Sequence, residues 1–377
     1  MAYTTIDDPS QYFQTALWSG DNATTQNITN DGNSDLQPDW VWVKCRNTAG
    51  NGFSHNVHDT SRGVDNNVNK SLFPDVSDQE GGGDTITTSA QLGGVSAMLS
   101  DGFTVREGSI DNDSRYVNES SRTYVGWQWK VNGGSTTTND ASSTGVGSID
   151  SVYQVNTTAG ISIVTYTGAG GNQTVAHGLG SVPEIIFAKR RDAGGDWTSF
   201  HEPIGNTKFL RLNANIAAGT QSTYWQDTDP TSTVFSVGNA GDVNTSSGTH
   251  VAYCMKSVQG FSKFGKYIGN GNTDGPFIYT GFKPAWLMIK ETGNANEWRL
   301  FDNKRNEHNP VTTHFEVDTD GAETDGGTTH NQYNFLSNGF KIRTSNAGNN
   351  RSGGEYMYMT FAEFPIVSSE GIPGPAR

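Results

Sequence analysis

The chain has 377 residues with 25 Lys and Arg against 39 Asp and Glu, a net charge of -14, so its summed field repels phosphate backbones and anionic membrane surfaces and argues against nucleic-acid binding. The length suits two or three domains, no run approaches the eighteen or so apolar residues of a membrane span, and the start, Met1-Ala-Tyr-Thr-Thr, lacks a basic and apolar leader. Hydrophobic residues make up only 33%, and 46 Gly sit among many Ser, Thr, Asn and Asp, which favours short strands joined by tight turns.

In chain order, five segments recur three times. A lead segment ends in an aromatic two residues before glycine: Leu17-Trp-Ser-Gly20, Thr165-Tyr-Thr-Gly168 and Lys266-Tyr-Ile-Gly269. A proline segment follows, Pro38-Asp-Trp-Val-Trp-Val-Lys44, Pro183-Glu-Ile-Ile-Phe-Ala-Lys189 and Pro284-Ala-Trp-Leu-Met-Ile-Lys290, entered from a turn at Asp35, Gly180 or Gly281. A lateral segment, opening at Phe53, Trp197 and Trp298, alternates apolar and polar side chains as a half-buried strand does. A glycine-turn segment, Asp101-Gly-Phe-Thr-Val105, is echoed by Ser232-Thr-Val-Phe-Ser-Val237 and Asn338-Gly-Phe-Lys-Ile342. The closing segment, Tyr124–Lys130, His250–Lys256 or Tyr356–Ala362, is nearly continuously apolar, which suits a central strand covered on both faces.

These blocks predict an all-β chain of three tandem antiparallel β-sandwich units of jelly-roll or lectin-like type. The first unit, with an N-terminal segment and an insertion around 81–84 and 106–121, spans 1–130. A Gly/Ser/Thr-rich linker covers 131–159, the second unit 160–259, the third 260–366 and a tail 367–377. The linker's composition predicts flexibility, so units two and three are expected to be rigidly coupled and unit one less so.

No nucleophile elbow, Walker loop or dinucleotide fingerprint occurs. His55, His58 and Asp59 could share a metal, and His201-Glu202 could act as base and acid, but neither set recurs at its repeat equivalents. Asp111-Asn-Asp-Ser114 and Asp318-Thr-Asp320-Gly-Ala-Glu323 offer alternating oxygens that resemble half a calcium loop without its terminal Glu, so calcium is the ion these two stretches would suit, and no cofactor is expected. Cys45 and Cys254 sit at non-equivalent positions and read as small hydrophobes. Tyr224-Trp225, outside the repeated blocks in a Ser/Thr/Asp-rich stretch, is the candidate exposed pair for stacking on a sugar, with Asp318 and Asp320 as further candidate ligand contacts.

The Pro-x-Trp/Ile strand ending in Lys, the Asp-Gly-Phe turn and the Tyr-Val-x-Trp closing strand resemble a repeat module of virion proteins of marine tailed bacteriophages, over nearly the whole chain. The resemblance implies a virion structural protein assembled in the host cytoplasm, foremost a tail fibre or other host-contacting appendage. A capsid decoration protein is the alternative, and a polysaccharide-degrading tailspike ranks below both. It implies other virion proteins as partners, a homo-oligomer, foremost a trimer, and a host glycan or protein as receptor, and supplies no catalytic residues.

Overall fold

A computed structural model describes residues 2–49, 53–65, 68–81, 92–108, 114–327 and 332–374. The fold is all-β, built of several antiparallel sheets, and all five recurring segments are strands within them. In the first repeat a large sheet sets the lead strand Phe13–Ser19, closing strand Thr123–Trp129, proline strand Trp40–Cys45 and lateral strand Asn56–Asp59 side by side in that order. The same order recurs as Ile161–Thr167, Thr249–Met255, Ile185–Arg190 and Thr198–His201 in the second repeat, and as Ser262–Ile268, Glu355–Pro365, Phe282–Glu291 and Arg299–Asp302 in the third. A small sheet pairs each glycine-turn strand, Gly102–Arg106, Val234–Val237 or Gly339–Ile342, with an outer strand, Thr25–Ile28, Gln173–Ala176 or Phe277–Tyr279.

Alternation along these strands sorts their side chains into two cores. In the first repeat Val41, Val43 and Tyr124 face the small sheet and pack on Ile28, Phe103 and Val105, while Trp40, Trp42, Val125, Trp127 and Trp129 point the other way. The second and third repeats divide likewise: Ile186, Ala188 and Ala252 against Ile185, Phe187 and Tyr253, and Leu287, Ile289 and Tyr358 against Trp286, Met288 and Met359. The second set of every repeat meets in one common core. There Trp40 stacks on Trp129 at 4.3 Å and on Tyr253 at 4.8 Å, Trp129 meets Trp286 edge-on at 5.9 Å, and Phe187 meets Trp298 at 6.4 Å. The closing strand is apolar on both sides because each side is inside a core.

The aromatic-x-Gly signature has a local cause. Trp18 Nε1, Tyr166 Oη and Tyr267 Oη donate to the carbonyls of Val117, Val243 and Asn349 at 2.8, 2.7 and 2.8 Å. The next residue in each case is a buried asparagine, Asn118, Asn244 or Asn350, whose Oδ1 accepts the backbone N–H of Asp21, Ala169 or Asn270. The intervening glycine is pressed against that turn: a Cβ on Gly20, Gly168 or Gly269 would lie 2.2, 2.3 or 2.3 Å from the carbonyl oxygen of Glu119, Thr245 or Arg351. Part of the stretch expected as an insertion in the first repeat, at Val117–Asn118, is therefore shared by all three.

Two expectations are corrected. The stretch 131–159 is not a free linker: Ser151–Asn156 pairs with the lead strand of the second repeat, and Thr137–Asn139 pairs with it in turn. Its start is pinned by the Asp39 carboxylate, which accepts the N–H groups of Val131, Gly133 and Gly134 at 2.7 to 3.0 Å. Nor is the first repeat loosely attached, since its Trp40 and Trp129 pack on both of the others. The register also shifts the lateral segment: Trp40, Ile185 and Trp286 stand opposite Asp59, His201 and Asp302. The counterpart of Trp197 and Trp298 is thus His55, two residues beyond Phe53.

Gly168→Ala should lower stability by about 2–3 kcal/mol through this overpacking, measured by urea denaturation; Gly171→Ala, with nothing within 4 Å of its Cβ but a φ of +64°, should cost only about 1 kcal/mol.

Candidate functional site

The polar groups that recur among the three repeats collect where one repeat meets the next. The lysine that ends each proline strand is buried. Lys44 Nζ donates to the carbonyls of Phe53 at 2.8 Å and Asp320 at 3.1 Å, the latter across the seam to the third repeat. Lys189 Nζ donates to Arg190 O at 2.9 Å and, across the seam to the first repeat, to Ser77 O at 3.3 Å, while Lys290 Nζ donates to Glu291 O at 2.8 Å and Asn294 O at 3.3 Å. Burial pushes all three amines down to about 8. Beside Lys44, burial pushes the Asp75 carboxyl up to about 7 against the pull of that lysine.

Two seams carry equivalent ion-pair chains. Where the second repeat meets the first, Tyr253 Oη and Arg62 Nε donate to Asp59 Oδ2 at 2.6 and 2.5 Å, and Glu80 joins Arg62 to Arg191 at 2.9 Å on each side. Where the first meets the third, Trp127 Nε1 and Arg305 Nε donate to Asp302 Oδ2 at 3.1 and 2.6 Å, and Glu323 joins Arg305 at 3.5 Å to Arg46 at 2.9 Å. Burial alone would raise the Asp59 carboxyl, but the Arg62 guanidinium and the Tyr253 hydroxyl hold it below the usual carboxylate range. The third seam lacks the ion-pair chain but keeps its backbone link, Ala218 N donating to Thr292 O at 2.8 Å as Glu80 N does to Arg191 O and Glu323 N to Arg46 O, and Trp298 Nε1 donates across it to Arg211 O at 2.8 Å. Its side chains at the other equivalent positions are His201, Ile204 and Met359. The Asp59-Thr-Ser-Arg62 and Asp302-Asn-Lys-Arg305 spacing, and an arginine two residues after Lys44 and Lys189, stand in the sequence as the signal of these seams.

The residues expected to bind ligand fall elsewhere. Tyr224 and Trp225 lie on the single helical turn Ser222–Trp225 and are buried in the second repeat's local core. Tyr224 packs on Phe209 at 4.2 Å with its hydroxyl toward Asp242 and Arg211, and Trp225 packs on Phe200 at 6.0 Å. The exposed stacking pair is therefore corrected: these rings are core. Asp318 Oδ1 accepts the Trp298 amide at 2.9 Å, and burial pushes its carboxyl up to about 6. Asp320 is tied to the first repeat through its backbone carbonyl, which accepts from Lys44 Nζ.

His55 receives the Trp42 indole N–H at 3.0 Å, whereas His58 Nδ1 pairs with Asn69 O at 2.7 Å. Among the described residues no group of three or more His, Cys, Asp or Glu could hold a metal ion; Asp111 and Asp113 lie outside them.

An open cleft of about 380 Å³ lies where the first and third repeats adjoin, floored by Phe13, Ala285 and Phe364 and walled by Asp31, Lys304, Glu307, His308 and Glu363. Lys304 pairs with Asp31 at 2.7 Å, and Glu363 pairs with Lys283 and Asn303 at 2.6 Å each. Two of its acids are thus engaged in holding the walls, which leaves a polar-rimmed, apolar-floored groove suited to reversible contact.

Arg62→Met should cost about 3–5 kcal/mol by stranding Asp59 in the seam, whereas the fivefold change Asp59→His, Arg62→Ile, Glu80→Ala, Arg191→Thr, Tyr253→Met, which installs the third seam's residues, should recover more than half of that loss in thermal melts. The histidines set a pH dependence. Burial lowers His58, His177 and His314 to about 4 and His201 to about 3. Their neutral form favours folding, a contribution fully present above pH 6.5 and lost as pH falls toward 4. Burial also lowers His55 and His250, so six histidines act in this sense against three carboxyls that burial raises, Asp75 to about 7, Asp318 to about 6, and Glu316. The denaturation midpoint should therefore drop steadily from pH 6.5 to 4.5, and a flat profile there would show that these rings are not buried neutral.

The family model described as domain of unknown function DUF7483 matches residues 8–365, a span that takes in all three repeats. No curated protein matches the chain, and no solved structure does.

Proposed function

The chain belongs to the DUF7483 family of unknown function, and we propose that it is a structural protein of a bacteriophage virion, acting as a tail fibre or other host-contacting appendage. The observation that carries this reading is the use made of the recurring polar groups: Lys44, Lys189 and two arginine–carboxylate chains bind one repeat to the next, and what remains outside them is a β surface. Each repeat is read as a small sandwich of jelly-roll or lectin-like type, a scaffold that displays loops and outer sheet faces. The intended partners are other virion proteins and a host-surface glycan or protein, with the chain working as a homo-oligomer, foremost a trimer, and without catalysis.

A second reading, a head-surface decoration protein, is favoured by one feature: the repeats gather around a common core instead of stacking into a shaft. Such an internal pseudo-threefold shape would seat on a threefold position of a shell with no partner copy. Gold-labelled antibody against the chain, viewed on intact particles by electron microscopy, separates the readings. Label at the distal tail supports the fibre, label over the head supports decoration, and particles devoid of the chain would exclude both.

A further inference from the structure

The outer face of the third repeat's small sheet carries two large exposed aromatics that the fold does not require. Phe277 and Tyr279 are 44% and 55% exposed, two residues apart on the outer strand Phe277–Tyr279, so both rings stand on the same face about 7 Å apart. Register with the glycine-turn strand places Ile278 opposite Phe340 and, in the other repeats, Ile28 opposite Phe103 and Val175 opposite Phe235. The equivalents of the two aromatics are therefore Asn27 and Thr29 in the first repeat and Thr174 and Ala176 in the second. Small residues serve the sandwich there, and exposing two rings instead is a cost without a packing return.

Their surroundings are shaped for a flat, polar-edged ligand. Gly339 stands directly opposite Tyr279, and a Cβ there would lie 2.1 Å from the Ile278 carbonyl oxygen and 3.1 Å from the Phe277 ring, so only glycine leaves that ring its place. Tyr3 Oη donates to Gly281 O at 2.8 Å and lies 3.4 Å from the Tyr279 hydroxyl, which braces the phenol end of the platform. Opposite Phe277 is Lys341, with Asn334 beyond it across the same sheet. Lys341 and Arg343 share a single carboxylate, Asp274, at 2.8 and 3.6 Å, so one positive charge is left over beside the rings in a chain whose net charge is -14.

We infer that this face is a binding site for an acidic saccharide, a uronate-bearing glycan whose pyranose rings stack on Phe277 and Tyr279 while its carboxylate meets Lys341 and Arg343. Stacking uses the apolar face of the sugar, and the surplus cation selects a charged sugar over a neutral one. This deepens the host-contact reading by giving its ligand class and rests on it for purpose, not for chemistry.

Affinity electrophoresis of the full chain through gels containing polygalacturonate, with dextran as the neutral comparison, tests it. The acidic chain should be retarded by polygalacturonate and hardly by dextran; general charge attraction cannot cause this, because both are anionic. Phe277→Asn with Tyr279→Thr, the first repeat's residues, should weaken retardation at least tenfold with the melting temperature unchanged. Lys341→Gln with Arg343→Gln should abolish the preference over dextran. Free passage of the unaltered protein through polygalacturonate, equal retardation by dextran, or undiminished retardation of either double variant would overturn the inference. Particle labelling is independent of the result, so label at the tail together with free passage through the gel removes the glycan site and leaves the appendage reading standing.

Discussion

The interaction on which the structure depends is the burial of the inner faces of three sheets against one another. A small sandwich needs only one buried face per sheet, and here the large sheet of every repeat has two. Were a repeat cut out, its Trp40 and Trp129, or Trp286 and Phe361, or Phe187 and Tyr253 would face water, at roughly 1.5–3 kcal/mol for each such side chain. The units are therefore thirds of a fold that is complete only as three, which agrees with a single family model running from residue 8 to residue 365.

Around that apolar centre the seams are nearly but not wholly alike. Two are tied by a buried Asp–Arg pair continued through a glutamate to an arginine of the neighbouring repeat, and the third has His201, Ile204, Ala218, Thr292 and Met359 instead. Buried ion pairs return little net stability but penalise misplacement strongly. The two charged seams thus act chiefly as registers, fixing which repeat lies beside which, while the apolar seam joins repeats that follow one another directly in the chain. Short connection and specific side chains are alternative ways of reaching the same adjacency.

Because the centre and seams consume what the repeats share, the outer surfaces are where the repeats differ. The outer strand illustrates this: its inward residue is apolar in all three, Ile28, Val175 and Ile278, while its outward residues are Asn, Thr or Phe. The cleft between the first and third repeats is another unshared surface, formed by a loop at Asp31 and the turn after Asp302.

The sequence by itself determined five recurring strands, their order along the chain and their threefold recurrence, because alternation, turn glycines and the proline entry are local signals that survive without a partner, whereas the strands within 131–159 lay hidden in a linker-like composition. It also showed the doubly apolar closing strand, which can be apolar on both sides only if both are covered. What covers the second side was decided by tertiary structure alone: no local pattern distinguishes Trp42 facing its own small sheet from Trp42 facing the core common to the three repeats. The same holds for polar residues. Lys44, Lys189 and Lys290 read as strand ends until their burial against neighbouring carbonyls appeared, and Tyr224-Trp225 read as an exposed pair because a Ser/Thr/Asp-rich stretch conceals a single helical turn that folds both rings inward. Phe277 and Tyr279 are the converse, two aromatics in an apolar-looking strand whose exposure follows only from which face of the small sheet meets the core. Local chemistry fixes what a segment can be; only the closed ring of three repeats fixes which of its faces meets water.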